Sequence, residues 1–171
     1  PHRDCKLAQE NVLREEIFAI SSARSNRKMP PEIMLQEAAA HRLILPTRKH
    51  GLRLLLDNYA EKLGVTLVPA MELDSILALA LMVNDGPYVG FLAGSVLSNL
   101  RERAGIRLRT HRLITPSLQR QVVYVHNPQR APSAAAQAFA QSLVAGLRQS
   151  QSDTVGSVVE LRRLPVTADL A

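Results

Sequence analysis

Residues 43–57, LILPTRKHGLRLLLD, constrain the fold more than any other stretch, because an apolar strand stops at Pro46 and a polar turn leads straight into an amphipathic helix. Leu52, Leu55, Leu56, Tyr59, Ala60 and Leu63 recur at helical spacing, and Gly64 supplies the stop. The outer face of this helix is expected to carry Arg53, Asp57, Glu61 and Lys62, with Arg53 and Asp57 four apart. The first N–H groups of a helix lack intrahelical partners and lie at the positive end of its dipole. Thr47, Arg48 and His50 therefore surround an expected electropositive pocket for a small anion. Helix capping is their alternative role.

The alternation extends along the chain. Residues 12–22 (VLREEIFAISS) predict a strand, 23–31 (ARSNRKMPP) a charged connection and 32–40 a short helix. Residues 65–71 (VTLVPAM) predict a strand that Pro69 confines to an edge or a bulge, and Asp74 can cap the next helix. Residues 76–83 are apolar nearly all round, so that helix is expected to be buried on more than one side, against another layer or a second subunit. Strands follow at 88–92, 106–113 and 121–126, with a polar helix at 95–103. A last helix opens at Pro132, with Ala135, Phe139, Leu143 and Leu147 every four residues. After Gln149 the chain is polar, and only VVELRRL could pair as a strand. This order predicts an α/β sheet with helices on both faces, where ligands collect at the carboxyl ends of strands. The Thr47 turn is such an end.

Several chemistries lack their residues. The histidines at 2, 41, 50, 111 and 126 are scattered, with neither HExxH nor paired CxxC, so no metal site is assigned. GPYVG at 86–90 lacks the spacing of a dinucleotide loop, and no Walker pattern occurs. Ser95 in AGSVL has no following glycine and no assignable His and acid partners, which leaves it as a helix cap. No catalytic residue and no cofactor are therefore expected. Aromatic residues make up 4% of the chain and Trp is absent, which argues against base-stacking platforms and aromatic cages. The net charge of +6 is spread along the 171 residues, and the run Arg101, Arg103, Arg107, Arg109, His111 and Arg112 is expected to be a solvated face. One cysteine, Cys5, fits a reducing compartment, and no run suits a bilayer or a signal peptide, so the chain is expected to be cytoplasmic with no membrane partner.

The segments LILPTRKHGLRLLLD, AMELDSILALALMVNDG and RQVVYVH, the last followed by PSAAAQAFAQSLVAGL, stand in an order and spacing that resembles the effector-binding domain of LysR-type transcriptional regulators over residues 13–148. That resemblance implies two α/β lobes like those of periplasmic binding proteins, joined by crossing strands at 12–22 and 121–126, with an effector held in the cleft between them. Residues 1–22 would end the first lobe and supply the first crossing strand. Residues 23–119 would form the second lobe, 120–148 the second crossing strand and a closing helix of the first lobe, and 149–171 a tail. Most of the first lobe, and a winged helix-turn-helix, would precede Pro1, which makes the chain look truncated at its amino end.

The resemblance also places candidate contacts. Thr47 matches the hydroxyl residue after the proline that contacts oxyanions, with Arg48 and His50 beside it. Ser21 and Ser22 would lie at the cleft hinge, unless they are simply solvated strand serines. Residues 86–93 depart from the family's GLGVxxLP, with Pro87, Tyr88 and Ala93 where leucine, glycine and proline are common. Tyr88 would thus reshape the cleft wall. The function expected is an effector-sensing regulatory domain that binds a small anionic metabolite, forms a homo-oligomer and reaches DNA only through a separate winged helix-turn-helix. A solute-binding protein of the same architecture, or a small α/β enzyme acting on an anionic substrate, are the alternatives.

Overall fold

A computed structural model describes residues 7–25, 29–104, 106–127, 129 and 132–151. The elements in order are β1 (Ala8–Ser22), β2 (Glu32–Ile33), α1 (Leu35–Ala39), β3 (Arg42–Leu45), α2 (Gly51–Lys62) and β4 (Pro69–Glu72). They continue with α3 (Ile76–Asp85), β5 (Tyr88–Ala93), α4 (Gly94–Ala104), β6 (Leu108–Leu113), β7 (Gln119–His126) and α5 (Ala134–Gln151). One unit comprises Glu16–Arg120, and the described residues on either side of it form another.

In the Glu16–Arg120 unit the strands stand in the order β2-β6-β1-β5-β3-β4. β3 runs parallel to β4 and β5, whereas β1 is antiparallel to its neighbours β5 and β6. Because strand side chains alternate faces, each central strand feeds two cores. Ile17 and Ala19 of β1, Leu43 and Leu45 of β3, and Val89 and Phe91 of β5 pack with α1 and α2. Ile20, Ile44 and Leu92 point the other way and pack with α3 and α4. Helices therefore cover both faces, as the alternation of elements predicts.

Local chemistry explains the boundaries. Gly64, at φ +65°, follows Leu63 at the end of α2, where a side chain would be strained. Pro69 stands on the edge strand β4, and the β3–β4 register shifts next to its partner Leu43, so the site is both an edge and an irregularity. A Cβ on Gly90 would meet Leu79 at 2.9 Å, so its bare backbone lets α3 lie close on β5.

Some expectations are corrected. Residues 32–33 extend beside β6 as β2, and only Leu35–Ala39 are helical. Residues 65–68 precede β4 as irregular chain. Ser75, rather than Asp74, caps α3, accepting the Ala78 N–H at 3.3 Å. α3 is buried on one side only, since Leu77 is 50% exposed and Ile76 and Leu81 are also exposed. Ser95 lies within α4 rather than ahead of it.

In the other unit β7 pairs with β1 and is followed by α5. Ser133 opens α5 by accepting the Ala136 N–H at 3.2 Å, one residue after Pro132. Ala140 is buried, whereas Phe139 is 69% exposed and Leu143 half exposed. Cys5 and the VVELRRL segment lie outside the described residues. Among the described residues no helix is long and apolar enough to cross a membrane.

Candidate functional site

The parallel strands β3, β4 and β5 end on one side of the sheet, and each leads within a few residues into a helix. The starts of α2, α3 and α4 therefore gather on one rim. A small pocket of about 20 Å³ opens there, bordered by Pro46, His50, Asp74, Ile76, Ala93 and Arg120, with Leu79 and Leu92 among its apolar lining. His50 is the N-cap of α2, and its Nδ1 accepts the Leu52 N–H at 3.2 Å. The neutral ring then carries its proton on Nε2, the nitrogen left as a donor. Arg48 and Lys49 are exposed beside it.

Thr47 is already engaged. Its backbone N–H donates to Asp74 Oδ1 at 2.9 Å, and its hydroxyl lies 2.8 Å from Oδ1 and 3.0 Å from Oδ2. These donations hold the Asp74 carboxyl below its ordinary pKa, the backbone N–H first and the hydroxyl second, with the Lys49 charge adding to them. The rim thus binds a carboxylate of its own chain.

Beneath it lies Arg53, with its side chain only 2% exposed. Its Nε donates to Asp57 at 2.9 Å, and its Nη1 donates to Glu72 at 2.7 Å and to the Pro46 carbonyl at 3.0 Å. Burial alone would pull the guanidinium pKa down, but the hydrogen bonds and charges of Asp57 and Glu72 outweigh it and raise the value. Arg53 was expected on the outer face of α2. It lies inward because it is three residues before Leu56 and seven before Ala60, both buried. That spacing was the available signal.

The amino ends of β3 and β5 form a second, different corner. A cavity of about 210 Å³ is bordered there by Ser21, Ser22, Ser25, His41, Pro87 and Tyr88. Ser21 and Ser22 are buried. Ser21 Oγ is 2.8 Å from His111 Nε2, and His111 Nδ1 is 2.5 Å from the Pro30 carbonyl. A carbonyl only accepts, so Nδ1 carries the ring proton and the Ser21 hydroxyl donates to Nε2. Burial is the main cause that lowers the His111 pKa; the Arg109 charge adds to it and the Pro30 carbonyl opposes it. Ser22 Oγ donates to the Asn84 carbonyl at 2.6 Å and accepts the Arg24 N–H at 3.2 Å. The Arg42 guanidinium stands 5.0 Å from the centre of the Tyr88 ring.

The sequence candidates thus fall into two groups. Thr47, Arg48 and His50 share the carboxyl-end rim, while Ser21, Ser22 and Tyr88 stand at the other end of β3, roughly 13 Å away along a strand of that length. Of the basic run, Arg107 is exposed and Arg112 about half exposed, whereas three members are engaged within the fold. Arg109 donates to the Ser25 carbonyl, His111 is buried and Arg112 pairs with the buried Glu16 at 3.0 Å. Among the described residues no group of three or more His, Cys, Asp or Glu could hold a metal ion.

A family model, the LysR substrate binding domain, matches residues 1–148. The chain is 33% identical over 141 residues to the phosphonates import ATP-binding protein PhnC of Anaeromyxobacter dehalogenans (strain 2CP-C), a match covering 80% of this chain and 27% of that protein. The chain thus spans about a quarter of that curated relative. The regulatory domain of CcmR from Synechocystis PCC6803, solved in complex with 2-PG, superposes with a TM-score of 0.69 at 18% identity, covering 85% of this chain and 69% of that one. The effector binding domain of QuiR, solved in complex with shikimate, superposes with a TM-score of 0.67 at 16% identity, covering 91% of this chain and 70% of that one. At such identities these neighbours establish the shared fold.

Proposed function

Because the chain belongs to the LysR substrate-binding domain family, we propose that it is the effector-sensing module of a transcription regulator. In this reading the oxyanion of a small acidic metabolite is held at the carboxyl-end rim, near Thr47 and His50. The supporting observation is the gathering of three helix starts on one rim, where the positive ends of the helix dipoles favour negative charge. The pocket of about 20 Å³ suits an oxyanion group rather than a whole ligand. Arg48 and Lys49, exposed beside it, would draw anions toward the rim. Ser21, Ser22 and Tyr88 would then serve as scaffold.

No bond making or breaking is involved. The effector acts by binding one arrangement of the regulator better than another, since equal binding would shift nothing. DNA contact would belong to a separate winged helix-turn-helix. The exposed Phe139 and Leu143 on α5 would support self-association, so the chain should run as a dimer or larger species in size-exclusion chromatography with light scattering. A monomer at high concentration would refute that part.

Thermal-shift assays with shikimate and with inorganic phosphate test the effector site. Stabilisation that grows with ligand and is removed by His50→Ala with Thr47→Val is expected. Stabilisation that survives both substitutions would place the ligand elsewhere. The resemblance to a phosphonate import protein favours a second reading, in which the module recognises phosphonate anions for a transport system. The chain has no Walker pattern, so nucleotide hydrolysis would not be its part in that system. Methylphosphonate binding far tighter than shikimate or phosphate would favour it.

A further inference from the structure

We propose that Asp74 is a built-in competitor for the anion site, so that an effector oxyanion reaches Thr47 only by evicting the Asp74 carboxylate. The proposal rests on the rim being the effector site, and it adds what regulates that site. An oxyanion held at Thr47 would use the backbone N–H and the hydroxyl, the two donors that Asp74 already occupies at 2.8–3.0 Å. Asp74 makes this contact across 27 residues of sequence and serves no cap of its own helix, because Ser75 does that work. Its partner could therefore be exchanged without undoing α3.

The surrounding bonds hold the two turns in place for the exchange. Leu73 N–H donates to the Leu45 carbonyl at 2.9 Å, which carries the β3–β4 alignment past the end of β4 and delivers Asp74 opposite Thr47. Buried Arg53 separately ties the Pro46 carbonyl to Glu72. Asp74 itself is exposed, as a displaceable carboxylate has to be, since it rehydrates when it leaves. Asp74, like any exposed aspartate, is anionic at neutral pH. A ligand must therefore meet like charge until the carboxylate swings away. The swing would break the Thr47–Asp74 contact while the Leu45–Leu73 and Arg53 bonds persist, giving two positions of the Asp74 carboxylate between which an effector can choose.

Phosphate titrations of the 171-residue chain at pH 7, followed through the amide signal of Thr47, test this in the wild type, Asp74→Asn, Asp74→Ala and Asp74→Ala with Thr47→Val. Roughly three- to tenfold tighter phosphate binding is expected for Asp74→Ala, a smaller gain for Asp74→Asn, and loss of the gain when Thr47→Val is added. Asp74 is exposed, and unchanged melting temperatures would show that the variants fold. Equal or weaker binding by Asp74→Ala and Asp74→Asn, with amides 47–52 still responding, would overturn the competition and leave the rim as the effector site. No response at these amides in any variant would overturn both.

Discussion

The carboxyl and amino ends of β3 carry similar residues: a hydroxyl, a histidine and an arginine stand at each. At the carboxyl end, Thr47 donates to the exposed Asp74, and His50 borders an open pocket. At the amino end, Ser21 donates to His111, which is 1% exposed, and the ring is pinned from behind by the Pro30 carbonyl. The difference is what breaking each bond leaves behind. An exposed pair can rehydrate and trade partners, whereas a buried group left without its partner costs about 1–3 kcal/mol. On the proposed reading, similar chemistry serves as exchangeable contact on one side and as scaffold on the other.

The largest expected effect lies under the rim. Arg53→Ala empties a buried site, leaves the Pro46 carbonyl without a partner and removes the cation between Asp57 and Glu72, so a loss of about 2–4 kcal/mol in urea unfolding is expected. It should also remove anion binding by releasing the turn. His111→Leu should cost about 1–3 kcal/mol by stranding the Ser21 hydroxyl and the Pro30 carbonyl. It should leave anion binding at the rim intact. If it instead weakened binding without destabilising the fold, the division between scaffold and contact would fail.

Acid sharpens the same contrast. His111 has a lower pKa folded than unfolded, so the unfolded chain takes up its proton first, and stability should fall as pH drops below about 6.5, levelling once the folded imidazole protonates. Asp74 is depressed below 3.8, so its contribution is present above that value and fades only as pH falls through its folded pKa. Unfolding curves between pH 7 and 5 should therefore report His111 at the amino end, and His111→Leu should flatten them. Ser22→Ala should cost about 1 kcal/mol through the Asn84 carbonyl contact. Thr47→Val, at the exposed rim, should change stability by less than about 0.5 kcal/mol while weakening anion binding, which separates function from folding at one residue.

Much of this architecture could be read from local pattern. The stripe of Leu52, Leu56, Tyr59 and Ala60 gives α2, and the apolar runs around Leu43 and Val89 give strands buried on both faces. The order of motifs over residues 13–148 resembles the family that the chain belongs to. What local pattern does not carry is strand direction and distant pairing. Ser21 and Ser22 stand away from Thr47 because β1 runs antiparallel to β5 while β3 runs parallel to it. Only pairing across more than sixty residues of sequence decides this. The Thr47–Asp74 contact is hidden for the same reason, and Asp74 next to Ser75 reads equally well as a cap. Arg53 was legible in principle, since its spacing to Leu56 and Ala60 marks the buried face, but its charge argues for solvent until Asp57 and Glu72 are seen to compensate it.

On the proposed reading, small anions are recognised at the carboxyl ends of the parallel strands. Mapping amide shifts while shikimate is titrated into the chain decides this. Perturbations are expected at 47–52, 73–76 and 93–96, with the amides of 21–25, 86 and 88 unmoved. Perturbations centred on Ser21, Ser22 and Tyr88, with the Thr47 turn silent, would contradict it.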